Sequence, residues 1–211
     1  MERYQDYVIK DGEFVGKFEE MYQKFDNPWH QIEAVQNSYA RHATLMSVRN
    51  YGIQSLIEIG CGLGVFTNYL SVNLPEVRIS GMDVSEAAVK KAREAYQHIE
   101  FICGDIKKFS QDLACVNGCV GGGYEAILLA EIMWYILDDL DEIIENISAN
   151  HKGRYVIINQ TFYKGQQQYG REYFTNLNEM VSYLPWLNLA KIEIETSDME
   201  TIETHSVFRV R

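Results

Sequence analysis

The chain has 211 residues, enough for one domain with a sizeable core, and 46% of them are hydrophobic. That excludes a disordered or fibrous chain, and no run of about 18 apolar residues suits a membrane span. A net charge of −11 repels phosphate backbones and anionic lipid, so neither nucleic acid nor membrane is an expected partner.

Helical spacing through Phe14, Phe18, Met21 and Tyr22, and again through Ile32, Val35, Tyr39, Leu45 and Val48, predicts an N-terminal helical cap over residues 1–50. Asp26-Asn27-Pro28 reads as the turn between its helices. Residues 51–211 then alternate. Ser55–Ile59 reads as a strand, Phe66–Leu74 as a helix, and Val77–Met82 as a strand. A helix follows Ser85, its expected N-cap. Ile99–Cys103 and Tyr124–Ala130 are further strands, the latter buried on both faces. A helix from about Leu140, a strand over Arg154–Gln160 and a helix over Glu172–Leu184 come next. Ala190–Thr196 and Thr204–Arg211 form a terminal hairpin.

Alternating strands and helices predict one α/β domain, a doubly wound and mostly parallel sheet with an antiparallel C-terminal hairpin. Ligands of such sheets bind beyond the carboxyl ends of the strands, so chemistry should follow Ile59, Met82, Cys103, Ala130 and Gln160. Cys61, Cys103, Cys115 and Cys119 form no C-x-x-C and read as free thiols. No metal site is expected. The N-terminus has no apolar leader behind it, so a cytoplasmic protein, monomer or homodimer, is expected.

Glu58-Ile59-Gly60-Cys61-Gly62-Leu63-Gly64 follows a strand and opens a helix. Glycines allow a tight turn and close approach of a ligand. Asp83, at the end of the next strand, suits two ribose hydroxyls, which both donate. Gly-x-Gly-x-Gly is tighter than the dinucleotide pattern. A carboxylate at Glu58 suits an ammonium-bearing ligand and disfavours a pyrophosphate, which separates S-adenosylmethionine from NAD.

Leu56–Thr67, Asp83, Gly104-Asp105 and the end of the fourth strand resemble class I S-adenosylmethionine-dependent methyltransferases. The resemblance covers roughly residues 25–211. It implies a seven-stranded Rossmann-like sheet, with one strand of the hairpin inserted between earlier strands. Gly60, Gly62 and Gly64 would wrap the methionine portion, Asp83 would hold the ribose, and Asp105 and the Ile106 N–H would meet adenine. Cys61, Val84, Tyr22, Trp29 and Glu131 complete the expected cofactor seat. S-adenosylhomocysteine would be the product, and no metal is required. Ala130–Leu137 also resembles the S-E-V-L-Y-Y-L stretch of nodulation-factor N-methyltransferases, and Asn27-Pro28-Trp29 their D-P-W segment. Methyltransferases of bacterial surface-polysaccharide pathways look similar. The departures are Asn27 for Asp and Trp134 for Tyr.

The likeness implies methyl transfer to O or N of a small polar acceptor, a carbohydrate or sugar nucleotide of a capsule-type pathway. Glu131, His30 and Tyr135 are the candidate catalytic residues. Trp134, Tyr135, Tyr163, Tyr169 and Tyr173 are candidate acceptor walls. Lys164 and Arg171, with Arg41, would suit an anionic acceptor such as a phosphate or carboxylate. His42 is a weaker candidate base. The glycine-rich stretch Asn117–Gly123 precedes a strand and reads as a surface connection. A non-catalytic cofactor-binding subunit is the alternative of another class.

Overall fold

The computed structural model describes residues 2–10, 13–34, 38–109, 123–165, 169–197 and 200–211. Val35, Cys115, Cys119, Gln166–Gln168 and all of the second glycine-rich stretch but Gly123 lie outside the described residues. A short hairpin, β1 (Ile9–Lys10) and β2 (Glu13–Phe14), opens the fold. Helices α1 (Phe18–Lys24), α2 (Gln31–Ala34) and α3 (Tyr39–Asn50) follow. Then come β3 (Ser55–Ile59), α4 (Val65–Asn73), β4 (Arg78–Asp83), α5 (Glu86–Ala95), β5 (Glu100–Cys103) and β6 (Ala126–Ala130). The chain ends with α6 (Leu140–Asn150), β7 (Tyr155–Tyr163), α7 (Leu177–Tyr183), β8 (Leu187–Glu195) and β9 (Thr201–Arg209).

Seven strands form one sheet in the order β5-β4-β3-β6-β7-β9-β8. Pairing is parallel from β5 to β7. β9 pairs antiparallel with both β7 and β8, so it sits inside the sheet and β8 forms the edge. The order reverses between β3 and β6, and the C-terminal ends of these two strands flank the crevice where ligands bind.

β3 and β6 are central strands buried on both sides, β6 as a continuous apolar run and β3 with Glu58 within it. Side chains alternate between two cores. Leu56, Leu128 and Ile157 pack on α3 and α4 through Leu45, Val48 and Leu70. Ile57, Ile127 and Ile158 pack on α6 and α7 through Ile143, Ile147 and Met180. Each such side chain contributes on the order of 2 kcal/mol by leaving water. Ser38, Ser85 and Asn176 cap α3, α5 and α7 by accepting a bond from the N–H three residues on.

Three local expectations are corrected. Phe14 belongs to β2, where it pairs across from Ile9 on β1, so it does not continue the helix that holds Phe18. The second N-terminal helix is two helices, α2 and α3, with Ser38 starting the latter. The helix expected over Glu172–Leu184 starts at Leu177, where Asn176 caps it. Before it, the Tyr173 and Phe174 N–H groups both turn back to the Gly170 carbonyl.

Candidate functional site

The turn after β3 is built by backbone constraint. Gly60, Gly62 and Gly64 all have positive φ, at 72°, 53° and 73°. At Gly62 a Cβ would stand 2.5 Å from the Tyr22 hydroxyl and 2.6 Å from Gln31 Nε2. The Gly60 and Cys61 N–H groups both donate to the Met82 carbonyl, at 2.7 and 3.0 Å, which ties the turn to β4.

Asp83 faces this turn. Its Oδ2 accepts from the Gly62 N–H at 2.8 Å and its Oδ1 from the Ser85 N–H at 2.9 Å. Burial raises its pKa against these bonds. Each oxygen keeps a second lone pair for a hydroxyl donor. Val84 beside it is 58% exposed, an apolar surface for a flat ring. Asp105 caps the turn at Ile106–Lys108 through the Lys107 N–H, at 2.9 Å. Ile106 is buried at the cavity wall.

Glu58 is buried in β3 and accepts from Thr67 Oγ1 at 2.6 Å. Desolvation pushes its pKa up to about 7, against the Thr67 bond and the nearby Arg41 charge. The Arg41 guanidinium lies 5.1 Å from the Phe66 ring centre, and its Nη1 is buried with no hydrogen-bond partner. Its charge also acts on Glu131. One cation therefore acts on two carboxylates, and one of its buried donors is unpartnered.

Glu131, just past β6, has φ 60°, a left-handed conformation that costs a non-glycine residue on the order of 1 kcal/mol. Its N–H donates to the Asn159 carbonyl at 2.8 Å. Its carboxylate accepts from the Thr161 N–H at 3.0 Å and the Thr161 hydroxyl at 2.9 Å. Burial pushes its pKa up to about 7. Trp29 also has a positive φ, 57°, and its ring meets those of Tyr22, Phe18 and Tyr135 at 6.0–6.4 Å. Gln31 latches this cover to the glycine turn: its Oε1 accepts from the Leu63 N–H and its Nε2 donates to the Tyr22 hydroxyl, both at 3.0 Å. On α1, Glu19 accepts from the Ser85 hydroxyl at 2.7 Å, which docks the cover on α5.

These groups enclose a cavity of about 740 Å³. It unites Glu58, Gly60, Cys61, Asp83, Val84, Asp105, Ile106, Tyr22 and Trp29 with Glu131, Trp134, Tyr135 and Tyr163. Gly62 and Gly64 shape the turn without lining the cavity themselves. Other expected residues are not brought in. His30 is exposed and packs on Tyr4, 6.5 Å between ring centres. Lys164 turns to Glu195, 3.4 Å away, and to the Thr196 carbonyl. Tyr173 packs on Tyr183 outside the cavity, and neither Tyr169 nor the exposed Arg171 lines it. His42 is exposed and bonds the Ser38 carbonyl. Sequence reasoning missed Gln31, Phe14, Phe18, Ser38, Thr161, Thr201 and Glu203, which all line the cavity. Among the described residues no group of three metal-ligating side chains comes together, and no helix is long and apolar enough to cross a membrane.

A switch-point cavity, a three-glycine turn and an inserted antiparallel β9 define the Rossmann-like fold of class I methyltransferases. Residues 56–152 match the family described as a methyltransferase domain. The chain resembles class I S-adenosylmethionine-dependent methyltransferases, and the NodS group among them. It is 30% identical over 95 residues to trans-aconitate 2-methyltransferase of Paracidovorax citrulli, covering 41% of this chain and 36% of that one. It is 26% identical over 118 residues to nodulation protein S of Rhizobium tropici, covering 54% of this chain and 44% of that one. The chain thus spans less than half the length of these curated relatives. The structure of N-methyltransferase NodS from Bradyrhizobium japonicum WM9 with S-adenosyl-l-homocysteine superposes with a TM-score of 0.64 at 17% identity, over 92% of this chain and 98% of that one.

Proposed function

We propose that the protein transfers a methyl group from S-adenosylmethionine to an oxygen or nitrogen of a small polar acceptor. The observation that carries this reading is one cavity holding the glycine turn and Asp83 at one end and an aromatic, acidic chamber past Glu131 at the other. The cofactor end fits the ligand's chemistry. Asp83 suits ribose hydroxyls, while Asp105 and the Ile106 N–H suit adenine. Glu58 suits the ammonium group, and the buried, unpartnered Arg41 Nη1 suits the carboxylate. Tyr22 and Trp29 offer aromatic faces near a positive sulfur. No metal is invoked.

When bound, the cofactor supplies a methyl group already activated on a sulfonium. The chain's residues then act mainly by alignment and by excluding water. Trp29, Tyr22 and Tyr135 close the cavity, and Gln31 holds them on the glycine turn. Glu131, fixed by Thr161 and poised near neutrality, receives a proton from the acceptor atom.

A carbohydrate or sugar nucleotide of a bacterial surface-glycan pathway is our reading of the acceptor. It is supported by the likeness to nodulation protein S and by the rings of Phe14, Phe18, Trp134 and Tyr135, which suit a sugar face. Such an acceptor belongs in the cytoplasm. A phosphate or carboxylate acceptor keeps one of its three candidate cations, Arg41, in the cavity lining, while Lys164 and Arg171 lie outside it.

Calorimetric titration with S-adenosylmethionine, S-adenosylhomocysteine and NAD tests the reading. Micromolar binding of the two adenosyl ligands without NAD is expected; no adenosyl binding overturns it. Adenosyl binding without turnover on any glycan or phosphate acceptor would favour a non-catalytic cofactor-binding subunit.

A further inference from the structure

Asn146 lies on α6, one turn after Ile143, which lines the cavity. Asn146 itself stands outside the lining and reaches the turn after β5 instead. Its Nδ2 lies 2.9 Å from the Phe109 carbonyl oxygen, 3.1 Å from that of Lys107 and 3.4 Å from that of Ile106. Three carbonyls around one atom fix the orientation of the amide, because only its NH₂ end donates. The other end, Oδ1, accepts from Asn150 Nδ2 at 2.6 Å. Both halves of the amide are engaged inside the protein, so the side chain acts on a ligand only through the turn.

That turn carries Asp105 and Ile106, both in the cavity wall. The Ile106 carbonyl and the Lys107 N–H belong to a single rigid peptide plane. Asn146 donates to the oxygen of this plane, and Asp105 Oδ1 accepts from its N–H at 2.9 Å. The plane is therefore pinned at both ends, and the Asp105 carboxylate is set by a peptide that α6 holds. A second link joins Lys107 Nζ to Asp139 Oδ2 at 3.1 Å. Its partners are 35% and 44% exposed, so water screens it and it steadies the turn less.

Adenine presents an amino donor beside a ring-nitrogen acceptor. The Asp105 carboxylate and the Ile106 N–H answer with an acceptor and a donor. Hypoxanthine presents the reverse, a carbonyl oxygen beside a ring N–H. It sets oxygen against oxygen and N–H against N–H. Rejection of this kind requires both protein groups to stay where they are, since a turn free to rotate its peptides would accommodate either base.

We infer that Asn146 is a positioning residue for base recognition: by holding three carbonyls of the turn at 106–109, it makes the cofactor site selective for adenine over hypoxanthine. This rests on the methyltransferase reading and extends it to a residue that touches no ligand.

The test titrates the full chain with S-adenosylhomocysteine and with S-inosylhomocysteine, its hypoxanthine counterpart, by calorimetry. The wild-type protein is expected to bind the adenine form about 100-fold more tightly, because two hydrogen bonds are reversed in the other. Asn146→Leu keeps the bulk and removes the donors. In it S-adenosylhomocysteine should weaken about tenfold and S-inosylhomocysteine by no more than about twofold, so the preference shrinks at least about fivefold. A residue that merely stiffened α6 would move the melting temperature and leave this ratio alone. Leucine and alanine are better helix formers than asparagine, so α6 should survive, and Asn146→Ala repeats the test if Asn146→Leu does not fold. Amide hydrogen exchange at Lys107, Lys108 and Phe109 should also quicken in the variant. Equal binding of the two ligands by the wild-type protein, an unchanged ratio in a folded variant, or unchanged exchange at the turn each overturns the inference. Failure of the wild-type protein to bind S-adenosylhomocysteine would instead overturn the methyltransferase reading.

Discussion

The two ends of the cavity are built by opposite strategies. The proposed cofactor end is framed by short turns at strand ends, the three-glycine turn after β3 and the turn after β5, with Asp83 between them, and side chains such as Glu58, Arg41, Tyr22 and Trp29 fill in around that frame. The acceptor end is made of side chains drawn from β2, α1, α3, the end of β6, β7 and β9. Backbone recognition demands glycines at fixed positions, and many sequences satisfy that demand in the same way. Side-chain recognition leaves each wall free to change. The cofactor end therefore looks generic, and the acceptor end carries what is particular to this chain.

The sharpest way to break this comparison is at Asp83. It holds the Gly62 N–H in place and offers lone pairs to a ligand. Asp83→Ala should raise the dissociation constant of S-adenosylhomocysteine about 100-fold, since a buried charge-assisted site is lost. Calorimetry checks it. Unchanged affinity would mean that the turn serves packing only.

The second test uses pH. Glu58 and Glu131 both titrate near 7 in the fold, above the usual carboxylate range near 4.5. Between those values the folded protein holds protons that the unfolded chain has released. Stability without ligand should therefore fall as pH climbs from about 4.5 through 7. Glu58, fully buried, accounts for on the order of 3 kcal/mol of that loss. Cofactor affinity should move the other way, because a positive ligand favours the ionised carboxylates. Glu58→Gln should flatten both profiles. Thermal melts and titrations at pH 5, 6, 7 and 8 read the two slopes, and parallel slopes in the variant would remove Glu58 from the account.

A smaller effect is expected at the latch. Gln31 joins the cover to the glycine turn through two hydrogen bonds, to Leu63 and to Tyr22. Gln31→Ala should weaken S-adenosylhomocysteine about fivefold, mainly through faster dissociation, as each bond contributes about 1 kcal/mol and water replaces part of it. A stopped-flow displacement experiment would show it.

How far the sequence reveals each end follows from the same contrast. β3, β4 and β6 were readable because short apolar runs ended at Gly60, Asp83 and Glu131, and the strand ends then located the chemistry. Gly60, Gly62, Gly64 and Asp83 announced themselves because the turn needs those residue types. Glu203 did not. It sits in a polar strand segment, and only the antiparallel insertion of β9 beside β7 sets it opposite Thr161. Gln31 was equally silent, since its partners lie 9 and 32 residues away. His30 illustrates the converse error. A histidine beside Pro28-Trp29 reads as a base, but left-handed φ values at both Trp29 and His30 turn the tryptophan inward and leave the imidazole exposed.

The same logic makes Lys164 and Arg171 the quietest positions. From sequence, a loop after the fifth parallel strand should overhang the acceptor, and its cations should grip an anion. In the fold, β7 continues to Tyr163, three residues past the expected end, and carries Lys164 past the cavity to the β8 edge. There the Lys164 side chain bridges to Glu195, itself 66% exposed. Exposed pairs of this kind contribute on the order of 0.5 kcal/mol. Lys164→Ala and Arg171→Ala should leave S-adenosylhomocysteine affinity within about twofold, and Lys164→Ala should change the melting temperature by about 1–2 °C. If either variant weakened S-adenosylhomocysteine well beyond twofold, that cation would have to reach the cavity.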